Sequence, residues 1–489
     1  MFGILKKYEL FLFTFLYWLV SFVILFYCNG TGAEADSINH YLYSKYAFYH
    51  PELLLNHWAK PLFTLISAPF SQFGFIGIKF FNALCVYFAS IFTYRIAKQL
   101  NLKLPILALL FYFIFPISFT TTFSGFTEPL CALVLSFSIY LFQQKKILST
   151  AILVSFLPFI RSEGLLFIGV FGLFFLYQKS WKAILFLGIG HLAYSIVGFL
   201  HYEDILWVFT KIPYAYLSSH YGSGSLFHFA EKLNYLLGIP LLIFFVLGML
   251  RSVARFGSNQ LSIKLISLLF LVFFIAHSLF WYLEIFNSMG LKRVFAAVSP
   301  LMALICLYGF NLLQNIQHPT IKKVSISIGI AITLIFPFTS NPAAVDWNDL
   351  NRTTAQQNAI LVAEFIQLNS IRFERLIYTD PYLCEVLNFD PFDSNKSQLL
   401  ANKKKTIPIS KIIVIRNYQF QYIPISSQEK AKVLHPSLQP NDLVIWDNWH
   451  SVVDYGVQAE DVAHLELTKE FILGASVYKI YLYQPKVNP

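Results

Sequence analysis

The sequence predicts a mainly α, polytopic membrane protein. A helical core of about 11 transmembrane spans (residues 1–340) is followed by a soluble extracytoplasmic α/β domain (residues 341–489). Three observations carry this expectation. Of 489 residues, 56% are hydrophobic and only 13% charged, with a mean hydropathy of +0.58, far more apolar than an ordinary soluble chain. Stretches long enough to cross roughly 30 Å of hydrocarbon as helices recur up to residue 340. Beyond it the pattern changes to a tail holding 16 acids and 14 basic residues.

The expected spans lie near 9–28, 74–97, 104–120, 126–142, 148–160, 163–178, 183–200, 233–250, 264–283, 293–313 and 324–340. The first, "ELFLFTFLYWLVSFVILFYC", follows Lys6 and Lys7 as a signal peptide does. Its length and its lack of a small-residue cleavage site mark it instead as a membrane helix. With the N-terminus inside, 14 of the 22 basic residues before residue 340 fall on the cytoplasmic side, as the positive-inside rule asks. Nine of the ten acids in the same region fall on the other side, so one membrane face collects the chemistry. The net charge of +10 flanks apolar helices and reflects topology, not nucleic acid, which is not an expected partner. The five cysteines show no paired or metal-binding spacing and read as small core residues.

The first outer loop, residues 28–73, contains "TGAEADSINHYLY" with Glu34 and Asp36. Two positions apart, they do not share one face of a regular helix. They are either the charged boundary of a membrane helix or reactive carboxylates. A carboxylate in a partly dry cleft gains basicity and can accept a proton from a sugar hydroxyl. Tyr43, Tyr46, Leu53, Leu54 and Trp58 would lay short helices along the membrane surface. His40, His50 and His57 lack a metal-site spacing. His50 before Pro51 suits a turn, and His57 beside Trp58 suits a lipid headgroup or a substrate.

In "SFTTTFSGFTEPLCA", Glu128 before Pro129 either starts a helix capped by Thr127 or meets a substrate hydroxyl. In "PFIRSEG", Arg161 and Glu163 sit between apolar runs, where an unpaired charge is costly. They form a structural pair, or Arg161 neutralises a lipid phosphate while Glu163 holds the guanidinium or binds sugar. The tyrosine-rich "IPYAYLSSHYGSGSLFHF" suits an isoprenoid rim, with Gly222 and Gly224 for flexibility. "WYLEIFNSMGLKRVFAAVSP" places Lys292 and Arg293 at the outer end of a helix, against the positive-inside bias. Phosphate recognition or lipid-headgroup pairing explains them.

In the tail, "TTAQQNAILVAEFIQLN" reads as a helix, "RFERLIYTD" and "KIIVIRN" as strands, and "NDLVIWDNW" as a strand entering a loop. "FDPFDSNKSQLLANKKKTIP" reads as a connection carrying a solvated or lipid-facing lysine patch. Asp447, Trp449 and His450 lie in a loop that is structural or carbohydrate-facing.

Through "AEAD", "FTEP", "RSEG" and "GLKRVFAAVSP", the chain resembles the polytopic glycosyltransferases of the GT-C class, which use polyprenyl-phosphate sugars. Within that class it resembles bacterial members related to the dolichyl-phosphate-mannose-dependent mannosyltransferases. The resemblance implies donor entry from lipid, an extracytoplasmic site and a bacterial inner-membrane location. It makes Asp36 or Glu34 the base or acceptor-orienting group, with Arg161 and Arg293 on the donor phosphate. Glu163, Glu128, His57 and Lys292 join as substrate-binding candidates. The expected partners are a polyprenyl-phosphate sugar, a lipid, glycan or protein acceptor, and membrane lipids. A phosphate leaving group needs no Rossmann or P-loop fingerprint, and neither is present. No cofactor is required, and a divalent metal assisting phosphate departure stays open. The rival reading is a lipid-linked glycan transporter or flippase, and after it a membrane scaffold.

Overall fold

Hydrocarbon offers no partner to a backbone N–H or C=O, so apolar runs must close their hydrogen bonds internally, as helices. A computed structural model describes residues 2–32, 35–213, 221–254, 261–400, 412–416, 419–423, 438–453, 457–463 and 465–483. Each expected apolar stretch is helical there. Among the described residues six helices are long and apolar enough to cross a bilayer: Tyr8–Tyr27, Phe75–Gln99, Trp181–Tyr202, Ser262–Tyr282, Lys292–Asn315 and Pro319–Phe338. The remaining expected spans are shorter or broken. The stretch 104–120 divides into Ile106–Ile114 and Pro116–Thr122, because a proline inside a helix removes one hydrogen bond and clashes with the preceding turn. The stretch 233–250 belongs to a pair, His228–Leu237 and Ile239–Ala254, bent by 120° at Gly238, whose φ of 74° continues no right-handed helix. Glu128–Gln143, Ile147–Phe159 and Gly164–Tyr177 are short apolar helices.

The chain is an integral, multi-pass membrane protein by this pattern. Its packing separates a protein-facing centre from a lipid-facing rim. Every residue of the helix Ser299–Phe310 is buried, whereas Pro319–Ile335 exposes Ile321, Val324, Ile328 and Ile332 along one side. The central helix crosses Ile239–Ala254 at Gly309 and Gly248. A Cβ on Gly309 would lie 1.9 Å from the Phe244 carbonyl oxygen, so the absence of side chains lets the two backbones touch.

The tail forms the expected α/β unit. Helix Thr354–Leu368 opens with a capping box in which Thr353 and Gln356 satisfy each other's backbone N–H groups. Among the described residues seven strands follow: β1 (Arg375–Tyr378), β2 (Ser397–Leu399), β3 (Ile412–Arg416), β4 (Gln419–Ile423), β5 (Asp442–Asp447), β6 (Leu467–Leu473) and β7 (Ser476–Leu482). Five make one sheet in the order β2-β1-β5-β7-β6, with β1 parallel to β2 and β5 and the β5–β7–β6 side antiparallel. The β6–β7 hairpin, absent from the sequence expectation, turns at Gly474. The separate ladder β3–β4 is antiparallel. Residues 401–408 of the expected lysine-bearing connection, with Lys403, Lys404 and Lys405, lie outside the described residues, while its residues 397–399 form β2.

The α/β unit rests on the connection between the first two long helices. Gly30 N–H donates to the Leu350 carbonyl at 2.7 Å, and the Gln356 amide donates to Thr31 Oγ1 at 2.7 Å. Lys45 pairs with Glu385 at 3.2 Å, His50 with Asp390 at 2.8 Å, and the Tyr46 hydroxyl donates to the Phe389 carbonyl at 3.0 Å. This assigns His50 a structural contact. The connection itself folds as the helix Ala35–Tyr46, a 3-10 turn Pro51–Leu55 and the helix Pro61–Ser71.

Candidate active site

Four segments distant in sequence bring their charges together beneath the α/β unit. The first is the opening turn of helix Ala35–Tyr46. It carries Asp36, where a negative charge complements the helix dipole. Ser37 in the same turn accepts the Gly125 N–H at 2.6 Å, locking this turn to the 123–127 loop. A Cβ on Gly125 would lie 2.4 Å from the Ser37 carbonyl oxygen, so only glycine allows that approach. From below, the Asn82 amide donates to the Ser124 and Phe126 carbonyls at 2.7 and 3.0 Å and fixes the loop's far side.

Arg293 arrives on a 3-10 segment, Lys292–Val298, that leads into the central helix. Its guanidinium lies over the Phe126 ring at 4.2 Å and makes a charge-assisted hydrogen bond to Asp36 Oδ2. The Asp36 side chain keeps 39% of its surface accessible, against 13% for Arg293, so the carboxylate is the more open member of the pair. Burial pushes the Asp36 carboxyl up, but Arg293, then His40 and Arg161, outweigh it and hold the group below its ordinary value. His40 lies one helical turn on, its ring stacked on Trp58 with centroids 4.8 Å apart. Burial depresses its pKa to about 3, with Asp36 opposing and the nearby cations reinforcing, so its imidazole is neutral at physiological pH.

Arg161 is the centre of a second group. It pairs with Glu128 at 2.6 Å and Glu163 at 2.8 Å, and donates to Thr127 Oγ1 at 3.1 Å. Glu128 is almost wholly buried, with 2% of its side chain accessible. A carboxylate so placed is tolerable only beside a cation. Thr127 occupies the position before helix Glu128–Gln143, but its hydroxyl makes no capping bond and serves Arg161 instead. Burial pushes the Glu163 carboxyl up, yet Arg161 and His277 overcome this and bring it to about 2.

Two members of the cluster were not singled out in the sequence. Lys60, 8% exposed, donates from Nζ to Ser162 Oγ at 2.9 Å, beside the Arg161–Glu163 pair. Burial lowers its pKa to about 8, with Glu163 opposing and Arg161 adding to the effect. His277 is buried on helix Leu261–Tyr282, with Nε2 3.7 Å from Glu163 Oε1. Both carried a signal: Lys60 precedes a proline-started apolar helix on the side that the positive-inside rule leaves poor in lysine, and His277 interrupts "FFIAHSLFW".

The remaining candidates are placed differently. Lys292 is exposed and turns to the Tyr235 ring, 4.9 Å away, separate from its neighbour Arg293. His57 packs edge-on against Trp207, with centroids 5.0 Å apart, and burial lowers its pKa to about 4. It adjoins the cluster through its proximity to Lys60 and is not among the ion pairs. Glu34 lies outside the described residues. Among the described residues no three His, Cys, Asp or Glu side chains converge as metal ligands. The site therefore joins two groups across His40, which feels both: Asp36 with Arg293, and Arg161 with Glu128, Glu163 and the neighbouring Lys60.

No protein-family model matches the chain, and no curated protein matches it. Among solved structures it is similar to ArnT from Cupriavidus metallidurans bound to undecaprenyl phosphate, with a TM-score of 0.61 and 12% identity, over 96% of this chain and 98% of that one. The apo state of the same protein gives a TM-score of 0.61 and 10% identity, over 97% and 98%. At such identity the likeness establishes the fold alone: a polytopic helical core with a small C-terminal sheet, shared with that protein and as the sequence leads one to expect.

Proposed function

We propose that this protein is a membrane glycosyltransferase that moves a hexose or pentose from a polyprenyl-phosphate carrier to an acceptor hydroxyl. In this reading the N-terminus is cytoplasmic and the site extracytoplasmic, in a bacterial inner membrane. The observation that carries it is the meeting of an accessible carboxylate, Asp36, with Arg293, Arg161 and Lys60 in a fold shared with a protein whose structure holds undecaprenyl phosphate.

The chemistry follows from the charges. The acceptor oxygen attacks the anomeric carbon while the bond from that carbon to the phosphate oxygen breaks. The bonding pair leaves with phosphate, and the anomeric centre inverts. The hydroxyl proton passes to Asp36. Arg293 and Lys60 meet the negative charge that grows on the leaving phosphate, in a site where buried cations need little reorganisation. Asp36 paired to Arg293 is a weak base. A donor phosphate competes for the same guanidinium, and once it takes Arg293 the carboxylate loses the partner that held its pKa down. Donor binding then prepares the base.

Purified protein in lipid nanodiscs, supplied with radiolabelled polyprenyl-phosphate sugars and a membrane-lipid acceptor extract, tests the reading. Asp36→Asn keeps the shape and removes the base, and turnover falls about 10²- to 10⁴-fold. In sealed vesicles, label that crosses the bilayer without forming a glycosidic bond, equally in both proteins, establishes the flippase instead.

A further inference from the structure

A cleft of about 210 Å³ opens where helix Ala35–Tyr46 meets the α/β unit. Ala35 and Ile38 form its membrane side, and Thr353, Gln356, Asp380, Tyr382, Trp449 and His450 its other walls. Ala35 and Ile38 are three residues apart, so they share one face of the helix, while Asp36 projects from a different face toward Arg293. One helical turn thus has the cleft on one side and the ionic cluster on the other.

The lining has a definite chemistry. Trp449 is 47% exposed, whereas Tyr378, Trp446 and Tyr478 of the neighbouring strands are buried. An indole held at a cleft edge offers a flat apolar platform with a polar edge. Asp380 is 4% exposed and held in place by the Tyr478 hydroxyl at 2.5 Å and the Tyr382 N–H at 2.9 Å. The His450 ring stands beside it, with Nδ1 3.9 Å from Asp380 Oδ1. His450 is oriented by Asp447, which accepts the Trp449 and His450 N–H groups at 2.9 and 2.6 Å. Asp447 is thereby a structural cap and not a cleft residue. Among the described residues the lining itself carries no lysine or arginine, and the guanidinium of Arg352, beside Thr353, is engaged with the Tyr382 side chain.

We infer that this cleft is an acceptor subsite that takes a neutral, hydroxyl-bearing sugar ring, stacked on Trp449 and hydrogen-bonded to Asp380 and His450. The inference rests on the glycosyltransferase reading for its role, but the binding itself does not. Sugars present apolar C–H faces and a rim of hydroxyls, which an aromatic platform beside a carboxylate and an imidazole matches. A phosphorylated group would face the Asp380 carboxylate, while the Arg352 guanidinium is already engaged with Tyr382. The first turn of helix Ala35–Tyr46 would then act as a sill over which one acceptor hydroxyl reaches Asp36.

The test uses the full chain in nanodiscs with neutral methyl glycosides of mannose, glucose, galactose and N-acetylglucosamine, read by saturation-transfer NMR. Wild type should show transfer from at least one glycoside. Trp449→Ala should weaken it about 10-fold or more, as loss of a central aromatic anchor does. Trp449→Phe should retain most of it, and Lys292→Ala, on an exposed side chain turned to Tyr235, should leave it intact. Binding equal in wild type and Trp449→Ala, or absent from wild type for all four glycosides, overturns the subsite. Turnover separates the two readings. Glycoside binding at Trp449 without transfer from any polyprenyl-phosphate sugar sinks the enzyme reading alone, whereas transfer whose acceptor KM is unmoved by Trp449→Ala sinks the subsite alone.

Discussion

Lys60 offers a measurement in which stability and function move in opposite directions. Its ammonium is buried in the fold, and burial lowers its pKa from 10.5 to about 8. At 1.36 kcal/mol per unit, the charged lysine costs the folded protein about 3 kcal/mol. Because the folded pKa is depressed, that cost is full below pH 8 and disappears as pH rises toward 10.5. Lys60→Met keeps the length of the stem and removes the charge. At pH 7 the variant should be more stable than wild type by up to about 3 kcal/mol, and by pH 9.5 the difference should shrink to about 1 kcal/mol. Equilibrium unfolding in mixed micelles with rising SDS, followed by tryptophan fluorescence, reads both values. In the proposed function the same charge waits for a phosphate. Undecaprenyl phosphate should therefore stabilise wild type and scarcely stabilise Lys60→Met. Its apparent affinity for wild type should drop by up to about 10-fold between pH 7 and pH 9, as Lys60 loses its proton. A variant less stable than wild type at pH 7, with a gap that ignores pH, would refute the reasoning: Lys60 would then be a satisfied structural residue.

Other perturbations separate neighbours that look alike in the sequence. Arg161→Ala leaves Glu128 and Glu163 buried without their cation and should cost about 3–5 kcal/mol in the same unfolding assay. The Glu163 share of that stability is present above pH 4.5 and lost as pH falls toward about 2, so wild type and Arg161→Ala should converge in acid. Arg293→Ala should lower turnover about 100-fold or more, as loss of a preorganised charge stabiliser does, while Lys292→Ala, which lifts an exposed ammonium off Tyr235, should change it less than about 2-fold.

Much of this site is legible in the sequence because charge beside apolar helices is expensive. Asp36, Glu128, Arg161, Glu163 and Arg293 each stand next to a hydrophobic run, and each is found paired in the cluster. What the sequence hides is direction. Lys292 and Arg293 are adjacent letters, yet one points to Tyr235 and the other to Asp36. His57 has the same letter-level claim as His40, but Trp207 takes it. Lys60 was hidden because a lysine at the end of a loop normally reaches water, and only the fold shows Ser162 above it. Hydropathy likewise locates the eleven expected stretches, though not the apolar helix Pro61–Ser71, and it measures content without direction. The break at Pro116 and the 120° bend at Gly238 leave the count of apolar residues untouched.

The docking contacts of the α/β unit have a consequence for biogenesis. Lys45 and His50 meet partners 340 positions later in the chain. Contacts of such separation close last, after the intervening chain has been made and packed. Until then the helix bearing Asp36 lacks its ceiling, and the half-built protein would hold its acid and its cations apart from any ordered acceptor. A ribosome stalled before residue 380 would release a bundle able to enter the membrane but without the walls contributed by Asp380, Trp449 and His450. In the proposed function, completion of synthesis is thus the event that adds the acceptor walls to a charged cluster already carried by the membrane half.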